Sequence, residues 1–87
     1  MLPLEKFIKN FSFITVMSNS DYLYHRCLFY IGYEVLQQFP KDIEVLNHTF
    51  EQGILALYAL EDLDKDRDLA KKVYEVSQER EQRMLLN

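Results

Sequence analysis

Apolar positions recur along this chain at steps of three and four, the spacing of helices that bury one face. Leu4, Phe7, Phe11 and Ile14, with Ile8 beside them, keep that step, and Pro3 suits a first helical turn, so a helix is predicted near 3–16. Ser18-Asn19-Ser20-Asp21 interrupts the pattern and supplies a cap. A second helix is predicted over 21–39. It stops before Pro40, whose ring disfavours helical geometry in the residue ahead of it. Asp42 caps a third helix, 42–61, with Ile43, Leu46, Phe50, Gly53, Ile54 and Leu57 inward. The run Glu61-Asp62-Leu63-Asp64-Lys65-Asp66-Arg67-Asp68 reads as a tight turn, because aspartate is a poor helix-interior residue and a good cap. A fourth helix, 66–85, turns Leu69, Ala70, Val73, Val76 and Ser77 inward. From Gln78 to Arg83 no apolar stripe remains, and that stretch is expected to be solvated or frayed unless something binds it. The sum is an all-α fold: one domain over 1–87, a small bundle of three to four antiparallel helices with short connections.

The 21–39 segment is the most informative. Leu23, Tyr24, Cys27, Leu28, Ile31 and Val35 make one broad apolar face. The opposite side should be polar, yet it carries Tyr22, Arg26, Phe29, Tyr33 and Gln37. A helix apolar nearly all round is either central in its bundle or binds with its outer face. Tyrosine and arginine are enriched at protein–protein contacts, so Tyr22, Arg26, Phe29 and Tyr33 are candidate partner-binding residues. Gly32 and Gly53 stand inside helices, where each costs about 1 kcal/mol relative to alanine. A close helix crossing would account for both. Folding the chain back around Pro40 brings Gly32 opposite His48–Thr49.

Charge sharpens this picture. Residues 1–40 hold Glu5, Asp21 and Glu34 against Lys6, Lys9 and Arg26, so the whole net charge of −4 comes from the second half. A first half so poor in charge must be covered by the second half or by a partner. The acidic balance lacks the footprint of a nucleic-acid binder, and no direct nucleic-acid binding is expected. Asp62, Asp64 and Asp66 are candidates to steer a partner with a basic surface. Two glycines and two prolines argue against disorder. Cys27 is the single cysteine, which excludes an intrachain disulfide and a cysteine-based zinc cluster and suggests a buried apolar position in a reducing compartment. Lys6, Lys9 and the run from Phe11 to Met17 loosely mimic a secretion leader, but Glu5 falls in the basic region and the apolar run is short. Tyr22–Leu36 is too short to span a bilayer. A cytoplasmic chain with no membrane association is expected.

Chemistry-bearing patterns are sparse. His48-Thr49-Phe50-Glu51-Gln52-Gly53 resembles the phosphoacceptor helix of histidine phosphotransfer domains, which implies His48 as an exposed phosphoacceptor. Glu51 occupies the position of that family's lysine, and Gly53 lies one residue late. Counted from Asp64, acids fall at several positions of a calcium-binding loop, but Leu69 stands where the sharp turn needs glycine, so no metal site is assigned. Ala70, Tyr74 and Ser77 resemble the second-helix signature of a tetratricopeptide repeat, over eight residues; Tyr58 stands where the first helix needs a small residue. The resemblance implies a helix hairpin that grips another helix or peptide. No phosphate-binding loop, zinc-protease spacing or cysteine–histidine pair is built, so neither catalysis nor a cofactor is expected. The expected function is that of a small regulator, adaptor, chaperone-like protein or inhibitor acting by helix-surface binding to another protein. The alternatives are a phosphotransfer protein acting through His48 and a purely structural homodimer.

Overall fold

The computed structural model describes residues 19–60 and 63–86; the predicted helix near 3–16 and Asp62 lie outside them. Among the described residues three α-helices carry the fold: α1 (Asn19–Gln38), α2 (Ile43–Tyr58) and α3 (Arg67–Leu86), with a 3₁₀ turn, Leu63–Asp66, leading into α3. No strand occurs among the described residues. α1 ends one residue before Phe39, where the following Pro40 excludes further helix. Asp42 is the N-cap of α2: its backbone is extended and its side chain accepts from the Val45 N–H at 3.1 Å. At the start of α3 the Asp66 side chain accepts from the Leu69 N–H at 3.2 Å. No described helix is long and apolar enough to cross a membrane.

The core is an apolar cluster drawn from all three helices. α1 contributes Phe29 and Leu36, α2 contributes Leu46, Ile54 and Leu57, and α3 contributes Leu69, Val73 and Val76. Both helical glycines sit where helices approach closely. A Cβ on Gly32 would overlap Thr49 Oγ1 and lie 3.3 Å from Thr49 Cβ; one on Gly53 would lie 2.5 Å from Val73 Cγ2 and 2.8 Å from Phe29 Cδ2. Gly32 therefore meets Thr49 across the α1–α2 contact, where the fold-back about Pro40 places it. His25 Nδ1 lies 2.7 Å from Gln52 Oε1 in the same contact. Residue numbers on α1 thus fall as those on α2 rise.

Three expectations are corrected. The side of α1 expected outward, with Tyr22, Arg26, Phe29 and Tyr33, faces the other helices: Phe29 is fully buried and the other three are half-buried. The face expected inward is the one left open. Leu23, Tyr24 and Ile31 are 56–61% exposed, and Cys27 is exposed rather than buried. The physical reason is that the polar tips on the inner side find partners. Tyr22 and Tyr30 donate to Asp66 and Asp68 near the start of α3, and Arg26 pairs with Asp66 beside them. Ile43, expected inward on α2, is 45% exposed at the helix start. Finally, Gln78–Arg83 is neither frayed nor unattached. α3 runs on to Leu86, and Arg83 donates to the Pro40 carbonyl while pairing with Glu79.

Candidate protein-binding groove

The residues expected to bind a partner form an internal clasp. Asp66, only 7% exposed, accepts from the Tyr22 hydroxyl and from Arg26 Nε at 2.5 Å through one carboxylate oxygen, while the other accepts from the Leu69 N–H. Burial alone would raise the Asp66 carboxyl, but hydrogen bonds from Tyr22, Arg26 and the Leu69 N–H outweigh it and hold the group below the usual carboxylate range. The Tyr22 phenol is pushed up, by burial first and by its bond to Asp66 second. Burial and the 2.9 Å bond to Asp68 push Tyr30 up to about 12. The Lys72 ammonium lies 5.0 Å from the Tyr30 ring centre and 5.4 Å from that of Tyr33. These groups lock the start of α3 against α1. Phe29 is core, and Asp66, whose charge is matched by Arg26, is not an open steering charge. Asp64 is exposed and lies 3.9 Å from Arg67.

The outer side of the α2–α3 contact has a different character. A hollow of about 360 Å³ is lined by Asn47, Phe50, Glu51, Ile54, Leu55 and Tyr58 of α2 and by Arg80 of α3. Two adjoining hollows, about 470 Å³ and about 150 Å³, continue it toward Met84 and Leu85 and toward Ile43. Arg80 borders all three. Its guanidinium carbon lies 4.8 Å from the Phe50 ring centre, and its Nε donates to Asn47 Oδ1 at 2.7 Å. A guanidinium held over an aromatic ring, with an amide on one edge, is preorganised rather than free to sweep through solvent. At the rim, Ile43, Met84 and Leu85 stand 45%, 63% and 80% exposed.

Sequence reasoning missed this groove because Gln78–Arg83 has no apolar periodicity of its own. The available signal lay on α2, where Phe50, Ile54 and Tyr58 recur at steps of four. His48 is exposed on α2, and the structure brings no second histidine to it: His25 contacts Gln52 instead. Ala70 is buried and Ser77 half-buried on α3. Among the described residues no group of three or more histidine, cysteine or acidic side chains is gathered as for a metal ion. The chain matches no protein-family model, no curated protein and no solved structure.

Proposed function

We propose that this chain acts by binding another protein, taking an amphipathic helix or peptide into the groove between α2 and α3. The observation that carries the reading is Arg80. It is held on Phe50 and Asn47 at the junction of three hollows whose floor is largely apolar. Arginine among aromatic and aliphatic side chains is the composition of interface hot spots. A carboxylate on the incoming segment would pair with the guanidinium Nη groups, and its apolar side chains would cover Ile54, Leu55 and Met84. The partner segment is therefore apolar with an acidic residue, in place of the basic surface that an open Asp66 would attract. The role is that of a regulator, adaptor, chaperone-like protein or inhibitor in the cytoplasm, working without catalysis, cofactor, nucleic acid or membrane. The architecture that goes with it is an antiparallel bundle of α1–α3.

A displayed library of random peptides, selected on the full chain, tests the reading. Enrichment of segments with apolar residues at helical spacing and an acid among them is expected. Arg80→Glu should weaken their binding at least tenfold, with Arg80→Lys in between and helicity by circular dichroism unchanged. Peptides that bind wild type and Arg80→Glu equally, or no enrichment at all, would overturn it.

A further inference from the structure

The apolar stripe left open on α1 by Leu23, Cys27 and Ile31 holds no guanidinium, Arg26 being turned to Asp66 on the other side. The small hollow between the start of α2 and the end of α3 holds two. It measures about 150 Å³ and is lined by Ile43, Leu46 and Asn47 of α2 and by Arg80, Arg83 and Met84 of α3. Arg83 gives Nη2 to the Pro40 carbonyl and to Glu79, 2.5 Å away, while its Nη1 is buried without a hydrogen-bond partner. A buried donor of a charged group left unpaired is costly, so it calls for an acceptor. Arg80 has neutral partners, the Asn47 amide and the Phe50 ring. We propose that this hollow is a carboxylate-binding site, in which Arg80 and Arg83 together hold one carboxylate group of a partner segment.

Charge, size and donor geometry select that ligand. Of the two guanidiniums, Glu79 matches one, that of Arg83. Glu51 and Glu81 border the two larger hollows and not this one. One positive charge is left to be matched, which suits a carboxylate better than a doubly charged phosphoryl group. At about 30 Å³ for each water-sized group, the hollow has room for about five, enough for a carboxylate and the carbons next to it but not for a nucleotide. Guanidinium groups present paired N–H donors that match the two oxygens of a carboxylate. Asn47, whose Oδ1 accepts from Arg80 Nε, keeps its own N–H donors for the same anion. Ile43, Leu46 and Met84 then cover the carbons behind the carboxylate. The source of the carboxylate rests on the groove reading; the site itself does not, because a small free carboxylate can fill it.

Butyrate is the probe, with butyramide as its uncharged counterpart and inorganic phosphate as the competing anion. In nitrogen–proton correlation spectra of the full chain, butyrate should shift the Nε–H signals of Arg80 and Arg83 and the Asn47 side-chain amide along one saturable curve. Butyramide should leave them in place, and phosphate should bind more weakly. Shifts that do not saturate, equal effects of butyramide, or phosphate binding as tight as butyrate would overturn the proposal, and none of these readings needs a variant. Arg83→Gln, its helicity checked by circular dichroism, should weaken butyrate at least fivefold; unchanged binding would overturn the shared site. With a library-selected peptide, replacing its internal acid by the amide, or amidating its C terminus, should cost at least tenfold. Whichever change does so names the source, and loss from neither would overturn the carboxylate. Peptides that move the Arg80 signal and leave Arg83 unmoved would refute the two-arginine site while the groove reading stands. Saturable butyrate binding with no peptide enriched would do the reverse.

Discussion

Gly32, Gly53 and Asp66 are the positions where single atoms decide the packing. A methyl at Gly32 would overlap the Thr49 side chain, which is β-branched, fully buried and unable to swing away. Gly32→Ala should therefore lower stability by about 1–3 kcal/mol despite the better helix propensity of alanine, read as a shifted denaturation midpoint. Among the described residues the Thr49 hydroxyl finds no hydrogen-bond partner. Thr49→Val keeps the shape and removes that buried polar group, so it should be neutral or stabilising by up to about 1 kcal/mol. Asp66 gives a pH signature. Its carboxyl is held below its ordinary value in the fold, so its contribution is present above the unfolded value near 4 and is lost as pH falls through the folded one. Asp66→Asn should cost about 1.5–3 kcal/mol at neutral pH, and the gap from wild type should shrink below about pH 4. The phenols act in the opposite sense. Tyr22 and Tyr30 are raised, so their contribution is complete below about pH 10 and is lost above it, where the unfolded chain ionises first. A chain with both tyrosines changed to phenylalanine should show a shallower loss of stability in alkali.

At the scale of elements, the breaks were legible and one helix face was not. Pro40, the Asp42 cap and the aspartate run between 61 and 68 are local signals, and α1, α2 and α3 begin and end within a few residues of them. The glycine contact was legible too, because the short link at Pro40 fixes which residues of α1 and α2 come level. The orientation of α1 depends on something a hydropathy wheel lacks. Leucine, isoleucine and cysteine rank above tyrosine and arginine, so the wheel turns Leu23, Cys27 and Ile31 inward. The acids that make the tyrosine side inward, Asp66 and Asp68, lie 38–44 residues away in sequence. The same limit hid Arg80, whose partners Asn47 and Phe50 belong to another helix. The inverted face predicts a clear contrast. Phe29→Ala, in the fully buried core, should cost about 3–5 kcal/mol. Tyr24→Ala, on the open side, should cost far less.

For the whole molecule, the division of labour follows from where charges are matched. The clasp of Tyr22, Arg26 and Asp66 joins α1 to α3 and leaves no open charge at its centre. Arg83 ties the end of α3 back to Pro40 in the α1–α2 link, so the α2–α3 groove is held at its far end as well. A guanidinium set in an apolar groove bordered by two anchored helices is what makes a binding role the best reading. Amide chemical-shift mapping of the full chain, titrated with a library-selected peptide, tests that role without any substitution. The largest shifts should fall on Asn47, Phe50, Leu55, Tyr58, Arg80 and Met84, with the α1 stripe unmoved. Shifts centred on Leu23, Cys27 and Ile31, or spread without a focus, would rule the groove out as the binding site.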